Sequence, residues 1–313
     1  MPTILITGGT GLIGKALSLL LSAKGYDIII LSRNNPVKHN LNTPKIRYAS
    51  WDIKKQTLDP WAIAEADAIV HLAGANIGDR RWTKKRKKEI LESRTQSADL
   101  LVSSLQTIPN KVKLLVGASA IGWYKPILPA EGNSMRVESD QPDPGFLGRT
   151  CRQWEQHVQQ AERTGIRVVI LRAGIVLSGE GGALPSFRRP IRAGIAAVLG
   201  SGKQVISWIH IEDLCRIYLA VIQDEALRGI YNAVAPIPVT NKEFTRTLAR
   251  IMKGNFFLTI HVPVFLLKLL LGEMSIEVLK SASVSVDKLK KTGFQFIFPG
   301  VNSALEDLAG KSK

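Results

Sequence analysis

Cysteine is nearly missing from this chain: Cys151 and Cys215 are the only two in 313 residues. They stand in no metal-ligand spacing, which excludes a disulfide framework and a zinc site as organising principles and points to a reducing compartment. Acidic residues are also few, 26 against 42 Lys and Arg, leaving a formal net charge of +16. No uncharged apolar run reaches the roughly 20 residues that a spanning helix needs. The most apolar stretch, Phe256 to Leu271, is broken by His261, Pro263 and Lys268. Internal repeats and low-complexity tracts are lacking. What is present is 45% hydrophobic content, enough for a large core in one extended α/β domain or a domain with a smaller cap. The first strand pattern starts at about Thr3, leaving no room for a cleaved leader ahead of it, so a cytoplasmic location is expected of a full-length product.

Apolar runs alternate with helical patterns through the first half. Strands are predicted near 3–7, 27–32, 45–50, 67–72 and 112–118, and a helix from about Phe146 to Arg163 leads into the buried run Arg167-Val168-Val169-Ile170-Leu171. That succession predicts α/β architecture with a doubly wound parallel sheet. After Gly174 the texture turns to loops punctuated by Gly179, Gly181, Gly182, Pro185, Pro190, Gly194, Gly200 and Gly202, as a substrate lobe would read. The expected boundaries are 1–174 for the sheet domain, with a strand and helix returning near 204–233, and 175–203 plus 234–313 for the smaller C-terminal lobe.

Thr7-Gly8-Gly9-Thr10-Gly11-Leu12-Ile13-Gly14 follows the apolar run Ile4-Leu5-Ile6 and opens a helix-patterned segment. Gly8 lets the chain turn sharply out of the strand, Gly11 lets backbone approach a pyrophosphate, and Gly14 lets helix and strand pack closely. The helix N-terminus, with Thr10, Leu12 and Ile13, then aims its unpaired N–H groups at phosphates. This is a dinucleotide-binding turn, and the sheet domain is expected to be of the Rossmann type. A carboxylate at the end of the second strand would bond a ribose 2′-hydroxyl, but that place reads Ser32-Arg33-Asn34. The Arg33 guanidinium can clamp a 2′-phosphate and the Ser32 hydroxyl can donate to it, so NADP(H) is the expected cofactor. Asp52, after the third strand, is a candidate partner for the adenine amino group.

Several further residue sets coincide: His71-Leu72-Ala73-Gly74, Leu171-Arg172-Ala173-Gly174-Ile175-Val176 and Ser207-Trp208-Ile209-His210-Ile211-Glu212-Asp213. With the glycine turn they resemble extended short-chain dehydrogenases/reductases. More closely, the chain resembles an atypical branch, the NAD-dependent epimerase/dehydratase-like family with a C-terminal domain of unknown function, often labelled as sugar-nucleotide epimerase or cell-division inhibitor. The motifs that carry this closer resemblance are Arg81-Trp82-Thr83 with Ser93-Arg94, Ser119-Ala120-Ile121-Gly122-Trp123-Tyr124, Trp154-Glu155, Gly181-Gly182-Ala183-Leu184, Gly200-Ser201-Gly202 and Gly272-Glu273-Met274. The resemblance implies an NADP(H)-binding Rossmann domain with Leu72, Ala73, Gly74, Arg94, Ala118, Arg172 and Gly174 in the cofactor site. By residue type alone, Arg172 either bonds sheet-edge carbonyls or faces an anionic substrate.

The parent family exchanges protons through a Tyr and a Lys four residues later on one helix face. None of the five tyrosines here has that lysine, and with Glu155 taken as the acid that ends the helix motif the two places become Leu147 and Cys151. Cys151 reads as a buried helical cysteine rather than a nucleophile. The substitute candidates are Ser119, at the end of the fifth strand, as the group that orients a carbonyl, Tyr124 as a donor and Glu131 as a base. His210 reads as a structural histidine that buttresses the lobe. No metal ligand set is expected.

The densest basic run, Arg80 to Lys88, reads first as the solvated start of a helix that buries Ile90, Ser97, Leu101 and Leu105, so nucleic acid is not an expected partner. A small-molecule substrate of the carbonyl or nucleotide-sugar class is expected. By analogy with dimeric relatives, segments 84–107 and 146–163 are where a homodimer would form. Two functions stay open at this point: an oxidoreductase or epimerase with an atypical site, and a non-catalytic NADP(H)-binding regulator or scaffold linked to cell division.

Overall fold

The structure, a computed structural model, describes residues 1–33, 43–132 and 134–310. Strands β1 (Thr3–Thr7), β2 (Asp27–Ser32), β3 (Ile46–Asp52), β5 (Ala68–His71), β6 (Leu114–Ala120) and β7 (Arg167–Ala173) join side by side in parallel, and β4 (Thr57–Leu58) turns back antiparallel on β3. The segment Gly229–Ala233 returns to add a parallel edge strand beside β7, giving eight strands in one sheet. Strand order runs outward from β1 to β2 and β3 on one side and to β5, β6 and β7 on the other. The order reverses between β1 and β5, where the crevice beyond the carboxyl ends of the strands opens. The expected α/β doubly wound fold is the one observed.

The period of two in the apolar strands explains the two cores. Ile4, Ile6, Ile28 and Ile30 face helices α1 (Leu12–Ala23) and α6 (Ile211–Gln223), whereas Leu5, Ile29, Leu115 and Ile170 face α3 (Lys84–Thr107) and α4 (Phe146–Gln159). Strands buried on both faces read as continuous apolar runs, which is why their sequence pattern is unambiguous. The short α2 (Pro60–Ala64) seals one end through Ala62 and Ile63.

Beyond β7 lies a third core, built where α5 (Leu184–Arg192), α7 (Asn241–Lys253) and the terminal helix Val301–Gly310 pack around Leu184, Trp208, Phe244, Leu248 and Leu305. Ile195–Leu199 pairs in parallel with Leu258–Val262, and the chain runs from there through Pro263 into α8 (Val264–Leu271).

Close packing at the first turn is strict. A Cβ on Gly14 would stand 2.3 Å from the Gly8 carbonyl oxygen and 2.6 Å from the Gly9 Cα, both backbone atoms that cannot swing aside. Gly14→Ala is therefore expected to lower stability by about 1–3 kcal/mol, read as a fall in the urea midpoint. A midpoint equal to that of the parent would show that the turn has room the geometry denies.

Candidate functional site

At the carboxyl end of β1 the chain turns at Gly8 with φ of 68°, and a side chain there would press on the Leu72 carbonyl and the Ala73 amide at 3.0 Å. Gly9, which the motif reading left unassigned, is also obligatory: its Cβ would lie 2.7 Å from the Ile30 side chain. The Gly11 amide donates to the Gly8 carbonyl at 2.9 Å, and Gly11 caps α1 with no side chain over the first-turn amides. No acidic residue stands in that first turn. The arrangement leaves an open, electropositive helix start beside backbone that only glycine permits to come so close.

A polar knot holds the two sides of the crevice together. Thr7 Oγ1 accepts from the Leu72 and Ala73 amides at 3.1 Å each, so its own proton points to His71 Nδ1 at 2.8 Å. Ser97 donates to the Ser93 carbonyl at 2.7 Å, which leaves its oxygen to accept from His71 Nε2 at 3.3 Å. His71 is thus fixed as the Nε2–H tautomer, and burial, with the nearby Arg94 charge, pulls its pKa down to about 4. Leu72, Ala73 and Gly74 leave β5 across the turn from Gly8 as a direct result.

Arg94, on α3, lies under Gly74, whose Cβ would sit 3.0 Å from the guanidinium carbon. It stacks over Trp154 at 4.9 Å and gives Nη1 to the Ala75 and Ile90 carbonyls at 3.1 and 2.8 Å. No carboxylate pairs with it among the described residues, and burial pulls its pKa down to about 10. It is a largely desolvated cation at the crevice wall with only neutral partners. Ser32 ends β2 half-buried with Arg33 exposed beside it, and Asn34 lies outside the described residues. Asp52 ends β3 and accepts through Oδ1 from the Lys54 and Lys55 amides at 2.9 and 3.2 Å, which fixes a turn at the same sheet edge.

Beyond β6 the polar groups are committed to one another. Ser119 donates to Glu155 Oε1 at 2.6 Å, and Arg172 grips Glu155 with Nε and Nη2, each at 2.9 Å. Arg172 Nη1 reaches the Tyr124 hydroxyl and the Glu138 carbonyl at 3.0 Å each, and its guanidinium stacks on Trp123 at 3.7 Å. The Tyr124 hydroxyl donates to Asn232 Oδ1 at 2.6 Å.

These distances show where three of the expected site residues are committed. Arg172 is 1% exposed with every guanidinium nitrogen engaged inside the protein, where it holds strand ends together. Tyr124 is wholly buried, and burial pushes its hydroxyl pKa up to about 12. Glu131 sits in its own loop, accepting from the Leu128 amide at 2.8 Å and pairing with Arg136, and these partners hold its carboxyl below the usual range. Gly174, too, answers to packing: its Cβ would meet the Ser207 carbonyl oxygen at 2.8 Å, where the chain crosses into the lobe. Ala118 stays half-buried at the sheet edge.

Positions 147 and 151 carry an apolar and an inert side chain. Leu147 joins Trp82 and Ile90 in a small cluster with Ile77, Phe146 and Met274 packed against it. Cys151 is buried, and burial first, then the Glu155 charge, pushes its thiol up to about 11. His210 caps α6 by accepting from the Glu212 amide at 3.2 Å and faces Asp307 through Nε2 at 3.3 Å, a structural histidine by its partners. Glu155 is the residue that sequence reasoning used only as a register mark. Its signal was its place on the buried stripe of α4, with Leu147, Cys151, Trp154 and Val158, where a carboxylate demands a partner.

Comparison with known proteins agrees with this geometry. Residues 4–233 match the NAD dependent epimerase/dehydratase family and residues 262–308 match a domain of unknown function, DUF1731. An epimerase family protein of Staphylococcus saprophyticus is 39% identical over 309 residues, covering 98% of this chain and 99% of the relative. Another from Staphylococcus aureus is 38% identical over 311 residues, covering 99% and 100%. Among solved structures, a human epimerase family protein with NADPH superposes with a TM-score of 0.86 at 30% identity, covering 98% of this chain and 99% of that one. A nucleoside-diphosphate sugar epimerase from Corynebacterium glutamicum gives 0.76 at 28% identity, and there the match covers 99% of this chain but 59% of the other.

The knot carries a pH signature. An unfolded histidine titrates near pH 6.5, whereas folded His71 stays neutral to about pH 4. The unfolded state therefore binds the extra proton between these values, and stability is full above about pH 6.5 and is lost as pH falls toward 4. The loss attributable to His71 is expected to reach about 3 kcal/mol. Urea titrations of the parent and His71→Gln across that window check it, the variant showing the shallower slope; equal slopes would place the acid sensitivity elsewhere.

Proposed function

The chain belongs to the NAD-dependent epimerase/dehydratase family, and from that premise we propose that it binds NADP(H) and acts on a small carbonyl or nucleotide-sugar substrate. The observation that carries the reading is the glycine cradle at the strand-order reversal, which is too tight for a Cβ at Gly9 or Gly14, holds Gly8 at φ of 68° and opens onto an uncapped helix start. A pyrophosphate fits there. Arg33 and Ser32, at the end of β2, would take the 2′-phosphate, and Asp52 the adenine edge. Leu72, Ala73 and Gly74 would line the opposite wall with Ala118, and Arg94, a desolvated cation without a carboxylate, would direct its free donors at the ribose and phosphate oxygens. The NADPH in the human relative's crystal structure supports the same choice of cofactor.

A bound nicotinamide supplies two-electron exchange with a substrate carbon. The proton is the protein's task, and Ser119, buried at the end of β6 and bonded to Glu155, is the candidate hydroxyl for it once a substrate opens the β6 edge. With its own proton held by Glu155 Oε1, Ser119 Oγ can accept from a substrate hydroxyl while passing that proton to the carboxylate, which Arg172 keeps in place. A second reading, cofactor binding without turnover, is favoured by Leu147 and Cys151 in the places of the usual pair.

Fluorescence titration separates the cofactors. NADPH is expected to bind tighter than NADH, and Arg33→Ala to weaken NADPH about 10- to 100-fold with NADH unchanged. Equal affinities untouched by the substitution would refute the assignment. Following NADPH absorbance against carbonyl and nucleotide-sugar panels then separates the two readings: turnover that Ser119→Ala abolishes while NADPH affinity is kept supports the enzyme. Tight binding with no turnover on any substrate supports the regulator.

A further inference from the structure

Two sequence features are left over once the cofactor cradle is accounted for, the basic run Arg80 to Lys88 and the apolar stretch that contains α8. The structure brings them together. α8 carries one lysine among eight residues and is otherwise Val, Phe and Leu, a composition that belongs in a core or against lipid. Only Leu267 is buried; Phe265, Leu269 and Leu270 are 70%, 67% and 60% exposed. Phe256 and Ile276, on either side of the helix in sequence, are exposed as well. Among the described residues, no packing accounts for so apolar a helix laid on the surface.

Arg81 donates to the Leu269 and Leu270 carbonyls, and Lys87 pairs with Glu273, so the start of α3 is fastened to the end of α8. At the start of α3, Arg80, Lys84, Lys85 and Lys88 stay exposed, Lys88 against Glu92. Seven cations between positions 80 and 88 outnumber the neighbouring acids Asp79, Glu89, Glu92 and Glu273, which pair with Arg86, Lys88 and Lys87. The run also crowds the positive end of the α3 dipole, whose first turn holds no acid, a placement that weakens the helix unless an external anion compensates.

We propose that α8 and the cationic start of α3 form one interfacial site that seats this protein on an anionic lipid bilayer. The acyl boundary takes Phe265, Leu269 and Leu270 while the headgroup charge takes the lysines. The seat is superficial: no helix among the described residues is long and apolar enough to cross a membrane. A second copy of the chain is the poorer occupant, because it would press the same cations together in a molecule already at +16.

The test is flotation of the full chain with phosphatidylglycerol-containing vesicles and with phosphatidylcholine vesicles. Binding is expected to the anionic vesicles alone and to fall about tenfold in the double variant F265E/L269E. It is expected to fall several-fold in K84E/K85E/K88E and to be lost in about 1 M salt. Both variants should keep the parent's circular dichroism, since these side chains are exposed, and the melting temperature should hold in F265E/L269E and shift by no more than a few degrees in K84E/K85E/K88E, where acids at the α3 start offset the lost Lys88–Glu92 pair. The proposal is overturned by no binding to anionic vesicles, by equal binding to neutral ones, or by a bound fraction that neither variant changes. It is also overturned if light scattering finds a parent dimer that F265E/L269E converts to monomers, which would make α8 a self-interface.

Discussion

A carboxylate and a guanidinium with almost no access to water, Glu155 and Arg172, tie α4 to β7. Removing two such charges from water costs several kcal/mol each, and the cost is offset only when the geometry is bidentate and the remaining donors are satisfied. Here they are: Ser119 from β6, Tyr124 from the loop after it, the Glu138 carbonyl and the Trp123 face complete the shell. Through Tyr124 and Asn232 the same network reaches the edge strand Gly229–Ala233, and through Asn232 Nδ2 it reaches the Ser285 carbonyl at 3.0 Å. Three strand ends, one helix and the entry to the lobe therefore share a single arrangement, because none can shift without exposing an unpaired charge.

That constraint shapes what the crevice offers. On the β6 side the hydroxyl groups point inward to the ion pair, so the crevice keeps small, half-buried Ala118 and Ala120 at its edge. On the β1 and β5 side the polar groups are neutral and locked, with His71 held uncharged between Thr7 and Ser97. The charge that remains at the wall is positive and belongs to Arg94. Among the described residues of the crevice wall, Ser119 is the hydroxyl coupled to a buried carboxylate.

Much of this was legible before any coordinates. Strands buried on both faces have a pattern that survives any local propensity, so β1, β2, β3, β5, β6 and β7 fall within a few residues of their predicted places. The glycine turn was legible because backbone clash is a local property: φ at Gly8 and the close approach at Gly14 follow from the turn itself. Side-chain direction was not. Whether Ser119, Tyr124 or Arg172 faces the crevice depends on strand register against α4 and on which acid lies opposite, and both are long-range facts. Arg172 is the clearest instance, since an arginine ending a buried strand fits an anion site and an internal ion pair equally well until Glu155 is placed.

Leu147 and the docked C-terminal segment share one apolar cluster. Arg81-Trp82-Thr83 and Gly272-Glu273-Met274 are far apart in sequence, yet Arg81 holds the last carbonyls of α8, Lys87 pairs with Glu273, and Met274 packs against the cluster of Trp82, Ile90 and Leu147. A tyrosine at position 147 would present its hydroxyl to this apolar cluster, whereas a lysine at 151 would meet both the Glu155 carboxylate and the Arg94 guanidinium. The tyrosine buries a polar group without compensation, at a cost of about 1–3 kcal/mol. Leucine removes that cost and gives Met274 an apolar seat. The contact that fastens the C-terminal segment over the start of α4 is thus one that favours an apolar side chain at position 147.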